Sequence, residues 1–319
     1  MDWERRCIRL CGAMVASAIL LRLWSGGVFA PVGRAMAHPQ TVSFLLYLHT
    51  GRVVRPLPSP DPPVPALPVE TEGTEPVFTA EDLALVTIDD EPGCGPDAAA
   101  LLTAPMELPL TGGEPKVLIL HTHTTESYTQ TGPRYEETSP YRTLDPGHNM
   151  LALGKIVAEQ LESSGIGVIH DTTFHDYPSY NGSYSHAASA IRDHLEQYPT
   201  IELILDLHRD AADTPTGQLA TRCQIDGERA AQLMFVLGTD TRLKHPQWEQ
   251  NLSLALKLQV LLEKTHPGIC RDLSLSKNRY NQHFGPRTLL VEIGAAGNTL
   301  DEAKPAAMAL AEAIAQLCG

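Results

Sequence analysis

From residue 116 to the end of the chain, short apolar runs alternate with amphipathic stretches, and this alternation restricts the fold more than any other feature. The apolar runs predict strands at 116–120, 165–170, 201–208, 231–238 and 287–294. The stretches between them predict helices at 149–163, 184–197, 247–265 and 299–317. Strands that alternate with helices form a parallel sheet covered on both faces. We therefore predict one α/β domain over residues 115–319, with a single largely parallel sheet and helices on both of its faces.

An apolar run near the N-terminus predicts attachment to a membrane. Residues 10–30 are apolar apart from Arg22, follow a group of arginines, and match the roughly 20 residues that span a bilayer. Alternatively, residues 10–21 are the apolar part of a signal peptide that is cleaved after an A-x-A site at 35–37. That site lies far downstream, so we favour an uncleaved signal anchor within residues 1–35. In both cases the arginines keep the N-terminus in the cytoplasm and place the rest of the chain outside.

Proline is dense between residues 54 and 77, which excludes helix and sheet there. The polyproline character of this segment predicts a semi-rigid spacer, suited to holding a domain away from a membrane. Residues 78–113 mix short helical hints with Gly and Pro, and the sequence assigns no fold to them. Residues 36–114 are thus predicted to be an extracytoplasmic proline-rich linker and irregular region.

Charge and cysteine content argue against two classes of function. The net charge is -14 and the pI is about 5.3, whereas nucleic acids are bound through clustered Lys and Arg, so we expect no nucleic-acid partner. None of the six cysteines lies in a C-x-x-C pair, so we expect no cysteine zinc site. Cys223 and Cys270 are the only plausible disulfide pair inside the predicted domain, and unpaired thiols are at least as frequent in such positions.

Polar side chains follow or end three of the predicted strands. The first strand runs into His121, His123 and Glu126, the third carries His208 among other charged residues, and the last carries Glu292 between aliphatic residues. In open α/β sheets, ligands bind at the carboxyl ends of the strands. A lone histidine at such an end is usually a hydrogen-bonded structural residue, but three polar strand ends together predict a shared site.

Imidazole and carboxylate groups without a thiol favour zinc, usually held by three protein ligands and a water molecule. A carboxylate outside the ligand set can then accept the proton of that water, and Glu292 fits this role because its apolar surroundings would raise its pKa. The alternative is a structural glutamate paired with Arg209 or Arg287. The sequence contains no G-x-S-x-G, H-E-x-x-H, P-loop or G-x-G-x-x-G motif that would indicate another chemistry.

Four segments in order, "HTHTTESY", "NMLALGKIVAEQLESSGIGVIHD", "LDLHRDA" and "TLLVEIGAAGNTLDEA", resemble the stage II sporulation protein P family. The catalytic domain of that family is similar to zinc-dependent N-acetylmuramoyl-L-alanine amidases of the amidase-3 type. The resemblance implies a peptidoglycan hydrolase that cuts the amide between N-acetylmuramic acid and L-alanine, and also peptide cross-links. It further implies action during forespore engulfment, at the mother-cell membrane facing the intermembrane space, alongside stage II sporulation proteins D and M.

The resemblance also implies roles for individual residues. Aligned strand ends place His123 on the first ligating histidine of the amidases, which leaves His121 as a strand residue or a support for the ligands. His208 matches the third-strand histidine, and Glu292 matches the catalytic glutamate of the amidase V-E-x-G motif.

The third zinc ligand is the loosest part of the match. The amidases use a glutamate shortly before an asparagine at the first helix, which Asn149 matches here. The segment before it offers Asp145 and His148, in a "DPGH" that copies the amidase histidine motif by letters, and no glutamate nearer than Glu137. No apolar run precedes "DPGH", so we read it as a turn and helix start. We predict Glu126 as the third ligand, with His148 as the next candidate.

Two further expectations remain open at this stage. The basic and aromatic stretch 277–287 is either a substrate-binding loop beside Glu292, with Arg287 or Lys277 meeting stem-peptide carboxylates, or an ordinary solvated loop. The whole protein is either a membrane-anchored zinc amidase or a catalytically silent wall-binding scaffold that recruits partners. Zinc content distinguishes these two functions.

Overall fold

The computed structural model describes residues 76–215 and 217–318, and eleven strands lie within them. The strands are β1 (Ile88–Asp90), β2 (Pro115–Leu120), β3 (Gly167–His170), β4 (Leu203–Asp210), β5 (Asp213–Thr214), β6 (Gly217–Gln218), β7 (Arg222–Ile225), β8 (Glu228–Ala231), β9 (Leu233–Gly238), β10 (Leu273–Ser276) and β11 (Thr288–Ala295). The helices of the same residues are α1 (Ala98–Thr103), α2 (Met150–Ser163), α3 (Ser183–Gln197), α4 (Trp248–Thr265) and α5 (Leu300–Leu317), with 3-10 turns at Ala80–Leu85 and Gln282–Phe284.

Within the described residues, seven strands form one sheet in the order β1-β10-β9-β11-β4-β2-β3. All neighbours are parallel except β9 and β11, which are antiparallel. The predicted largely parallel sheet is therefore confirmed, but it consists of two parallel blocks that run in opposite directions. As a consequence, the carboxyl ends of β2, β3, β4 and β11 share one edge of the sheet, and the strand predicted at 231–238 ends at the other.

Helices cover both faces of the sheet, as predicted. The side chains of β2 point alternately to the two faces of the sheet, as successive residues of a strand do. Val117 and Ile119 join a large core with α2, α4 and α5, whereas Leu118 and Leu120 join a smaller core with α3. The face covered by α3 is the one that carries the polar strand ends described below.

Residues assigned no fold by the sequence extend this sheet beyond the boundary predicted at residue 115. Strand β1 pairs with β10 at the edge of the sheet, and α1 packs beside α4 through its buried Leu102. The predicted anchor, the alternative cleavage site and most of the proline-rich segment lie outside the described residues. Within residues 76–215 and 217–318, no helix has the length and apolarity needed to cross a bilayer. Cys223 and Cys270 are both free thiols.

A buried histidine pair fixes the packing of α2 against the sheet. His121 is fully buried, and its Nε2 lies 2.9 Å from Nε2 of His170 while its Nδ1 lies 3.1 Å from the Leu207 carbonyl oxygen. Burial lowers the pKa of His121 to about 3, so its ring is neutral. Gly154 of α2 sits directly over both rings, and a Cβ atom there would lie 2.4 Å from each Nε2.

Gly154→Ala is therefore expected to destabilise the protein. Alanine favours a helix interior by about 1 kcal/mol over glycine, but overpacking a core costs about 1–3 kcal/mol, and the rings beneath have no free space. The measurement is the free energy of unfolding in urea. In a His170→Ala background the same substitution should cost less, because one of the two clashing rings is gone; an equal cost in both backgrounds would contradict this explanation.

Candidate active site

Strands β4 and β11 place a histidine and a glutamate side by side. His208 and Glu292 are direct partners in the parallel register, so their side chains project from the same face of the sheet. This is the face covered by α3. His208 is buried, and its ring lies between two carboxylates, with Nε2 3.0 Å from Asp206 Oδ1 and Nδ1 3.6 Å from Glu126 Oε2. Burial opposes protonation, but these carboxylates hold the pKa of His208 well above its usual value.

The turn after β2 separates the two histidines of the "HTH" motif. His121 points to the α2 face, away from Glu292, whereas the ring of His123 meets that of His208 edge-on, with centroids 5.3 Å apart. Burial lowers the pKa of His123 to about 4, so it is a neutral imidazole. His123 is thus the member of the pair that lies beside His208.

Three threonines of the turn after β2 bind it to neighbouring segments. Their hydroxyls are buried, and each must find a partner within the protein. The hydroxyl of Thr122 donates to Asp206 Oδ2 (2.6 Å), that of Thr124 to the Thr173 carbonyl oxygen (2.7 Å) and that of Thr125 to Asp176 Oδ2 (2.6 Å). These bonds tie the turn to β4 and to the loop 171–182, and so fix the position of His123.

Glu126 ends the same turn and binds two arginines. Arg142 Nη2 donates to its Oε1 at 3.3 Å, and the backbone N–H of Arg209 donates to its Oε2 at 3.3 Å. Burial would raise the pKa of Glu126, but Arg209 and His208 lower it to about 2. The carboxylate is therefore ionised and lies at the site, within 3.6 Å of His208.

The other candidates for a third ligand lie elsewhere. His148 Nδ1 pairs with Asp145 Oδ2 at 2.9 Å, both side chains are partly exposed, and the His148 ring stacks on Tyr135. Neither contacts His123 or His208. As predicted, the "DPGH" segment is a turn that leads into α2, whose N-cap Asn149 accepts a hydrogen bond from the Leu151 N–H. Glu137 likewise has no contact with the two histidines among the described residues.

Glu292 retains partial solvent exposure, whereas every other residue of β11 is buried. Burial raises the pKa of Glu292 to about 8, and the nearby Glu126 and Asp210 carboxylates act in the same direction against the opposing charge of His208. No Lys or Arg of the described residues forms an ion pair with it. The two arginines that could have made it a structural glutamate pair with other carboxylates.

The cations of the stretch 277–287 do not lie at this site, which disagrees with the substrate-binding role considered for Arg287 and Lys277 and leaves the alternative of an ordinary loop. Both pair with glutamates, at 2.7 and 2.6 Å, at the opposite edge of the sheet. Arg287 precedes Glu292 by five residues of an extended strand, or roughly 16 Å at about 3.3 Å per residue. The stretch approaches the site through Tyr184, whose ring lies 5.5 Å from that of His123. The ring of Tyr280 lies 5.9 Å from that of Tyr184, and Asn281 Nδ2 donates to the Tyr184 carbonyl oxygen at 2.8 Å.

The donor atoms of this site fit a zinc ion in chemistry and in burial. His123 Nδ1 and Glu292 Oε2 are buried and form no hydrogen bond, although buried polar atoms are normally satisfied. His208 Nε2 lies 3.0 Å from Asp206 Oδ1, so Nδ1 is the ring nitrogen that faces Glu126 and could meet a metal ion. The 3.6 Å between His208 Nδ1 and Glu126 Oε2 matches the roughly 3.3–3.6 Å that separates two tetrahedral zinc ligands. In the described residues, however, no three His, Cys, Asp or Glu side chains are already arranged to hold a metal ion.

Several residues of the site were not predicted in these roles. The position of Asp206 could have been predicted, because it lies two residues before His208 in the same strand and so points to the same face of the sheet. Arg142, Asp176 and Tyr180 come from loops with no periodicity, and no sequence signal places them here. The described residues thus contain a buried cluster of histidines, carboxylates and arginines at one edge of the sheet.

Comparisons with known proteins agree with the resemblance seen in the motifs. Residues 73–315 match the model of the family described as Stage II sporulation protein P. The chain is 32% identical over 222 residues to Stage II sporulation protein P of Bacillus subtilis (strain 168), an alignment that covers 65% of this chain and 52% of that protein. The chain therefore spans about half the length of this relative.

Solved structures of lower similarity include two amidases. One is N-acetylmuramoyl-L-alanine amidase AmiC2 of Nostoc punctiforme, with 15% identity, a TM-score of 0.37, and coverage of 65% of this chain and 96% of that chain. The other is an N-acetylmuramoyl-L-alanine amidase from Clostridium difficile 630, with 16% identity, a TM-score of 0.36, and coverage of 64% and 95%.

Proposed function

This chain belongs to the stage II sporulation protein P family, and from that premise we propose that it is a zinc-dependent peptidoglycan hydrolase acting during forespore engulfment. Its reaction would be cleavage of the amide between N-acetylmuramic acid and L-alanine, with cleavage of peptide cross-links as a second activity. The observation that carries this proposal is the convergence of His123, His208 and Glu292 at one strand edge, where His123 and Glu292 each have a buried atom that lacks a hydrogen-bond partner.

We assign the zinc ligands to His123, Glu126 and His208. When bound, zinc would act as a Lewis acid that polarises the scissile carbonyl and acidifies a water molecule. His123 is neutral and Glu126 is ionised, as ligands must be. His208 is held protonated by its neighbouring carboxylates, so it would have to release a proton when zinc binds. The bonds of Glu126 to Arg142 and Arg209 must partly loosen for it to serve in this way.

Glu292 is the proposed general base and acid. It lies beside His208, retains partial exposure, and forms no ion pair with a Lys or Arg of the residues that the structure describes. A carboxyl with a pKa near neutral pH can accept a proton from the attacking water and then donate it to the leaving nitrogen. Asp206, fixed by two hydrogen bonds from Thr122, supports the ring of His208 from the other side.

Location and partners follow from the N-terminal prediction and the family. Residues 10–30 would anchor the chain in the mother-cell membrane, with the domain facing the intermembrane space. Stage II sporulation proteins D and M are the proposed partners, and peptidoglycan is the proposed substrate. We expect no nucleic-acid partner, because the net charge is -14 and phosphate backbones are bound through clustered Lys and Arg.

One observation favours the alternative of a silent wall-binding scaffold. The carboxylate of Glu126 is held by two arginines, an arrangement that is satisfied without a metal ion. A protein that had lost catalysis could retain this cluster for stability alone, since breaking a buried ion pair is costly.

The two functions are distinguished with the purified full-length chain. Zinc content is measured after dialysis, and purified peptidoglycan is incubated with the protein and analysed by mass spectrometry. The hydrolase predicts one zinc ion per chain and the release of stem peptides with a free L-alanine N-terminus. A folded sample that binds no zinc and releases no peptide, but still sediments with peptidoglycan, would support the scaffold and refute the hydrolase.

A further inference from the structure

Tyr180 covers the ring of His123, although 55% of Tyr180 itself is exposed to solvent. It lies in the loop 171–182 between β3 and α3. Its ring is nearly parallel to the imidazole, with centroids 4.5 Å apart and planes 12° from each other. Its hydroxyl lies 3.1 Å from His123 Nε2, within hydrogen-bond distance. An exposed aromatic side chain in a fixed contact with a buried histidine suggests a role other than core packing.

Charged groups hold the tyrosine in this position. The guanidinium of Arg142 lies 4.8 Å from the centre of the Tyr180 ring, a cation–π contact. The same guanidinium donates to Asp176 Oδ2 at 2.6 Å, and Asp176 belongs to the loop that carries Tyr180. Two threonines of the turn that carries His123 bind this loop as well. The loop and the turn are thus joined by hydrogen bonds, which hold Tyr180 in contact with His123.

The two ring nitrogens of His123 lie in different surroundings. Nε2 meets the hydroxyl of Tyr180, whereas Nδ1 is buried and has no hydrogen-bond partner. A histidine that binds a metal commonly donates its other ring N–H to an oxygen atom, which fixes its tautomer and its orientation. We propose that Tyr180 is a positioning residue that accepts the Nε2–H of His123 and so presents the Nδ1 lone pair to the ion of the proposed site. This inference rests on the proposed function.

Tyr180→Phe is the sharpest variant, because phenylalanine keeps the stacked ring and removes only the hydroxyl. Loss of such a supporting partner typically costs 10–100-fold in metal affinity, so zinc should bind Tyr180→Phe about 10–100-fold more weakly than wild type. Tyr177→Phe is the matched control. Tyr177 lies in the same loop, is also partly exposed, and forms neither a hydrogen bond nor a ring contact with His123. Competition with a chromophoric chelator measures both affinities.

A second readout needs no metal. In zinc-free protein, NMR of the histidine ring nitrogens, with His123 assigned from a His123→Gln variant, should show Nε2 protonated and Nδ1 unprotonated. Tyr180→Phe should shift this population toward the other tautomer, and Tyr177→Phe should leave it unchanged. Equal zinc affinity and an unchanged tautomer in Tyr180→Phe would overturn the inference, as would a protonated Nδ1 in wild type. If wild type binds no zinc, the proposed function fails, and the tautomer still decides whether Tyr180 orients His123.

Discussion

Glu292→Gln is expected to lower the rate of peptidoglycan cleavage by about 10²–10⁴-fold, the usual contribution of a general acid or base. Glutamine has nearly the same shape but cannot accept and return a proton. Zinc binding should persist, since Glu292 is not among the proposed ligands. The measurement is the release of stem peptides from purified peptidoglycan, normalised to the zinc content of each sample.

The same variant should remain folded. No cation of the described residues pairs with Glu292, and burial raises its pKa to about 8, so a neutral amide replaces a group that is largely neutral at pH 7. Glu302→Gln is a suitable control, because Glu302 forms a capping box with Thr299 and accepts from Arg222 at 2.8 Å, away from the site. That control should lose stability and keep its activity per folded molecule. Undiminished cleavage by Glu292→Gln would remove it as the base.

The sequence predicted the elements of the fold well because burial imposes a strong pattern on them. It did not predict strand direction. Parallel neighbours require a crossover connection, usually a helix. The three connections of the sheet without a long helix, 91–114, 211–232 and 277–287, are those across which the strand direction reverses. The absence of helical spacing in these segments was a usable signal. Strands β1 and β10 of the sheet were missed because their three and four residues are too few to be distinguished from a loop.

Some residues of the candidate site could be predicted from the sequence, and others could not. His208 and Glu292 could be predicted because strand register alone brings them together. His123 could be preferred over His121 only by resemblance, since the turn after Leu120 removes the two-residue periodicity that would otherwise give both the same face. The contact of Arg142 with Glu126 joins segments whose relative position depends on the tertiary fold, and no local pattern records it.

Glu126→Gln is expected to abolish stoichiometric zinc binding, whereas His148→Gln should leave it intact. The structure places Glu126 3.6 Å from His208 and places His148 on the exposed turn before α2. The glutamine variant should also be less stable, by on the order of 3 kcal/mol, because the buried guanidinium of Arg209 loses its ionised partner. Part of that loss is offset by the Arg209 bonds to the carbonyl oxygens of Ser127 and Tyr141, which do not change.

Zinc content and urea unfolding, measured on the same samples, separate the two roles of Glu126. Loss of both zinc and stability would mean that this carboxylate is a ligand as well as the partner of the arginines. Loss of stability with a full zinc content would mean that Glu126 only neutralises Arg142 and Arg209, and that the third ligand lies elsewhere. A zinc content that falls in His148→Gln but not in Glu126→Gln would show that the turn before α2 must move toward His123 and His208, and would contradict the ligand set proposed here.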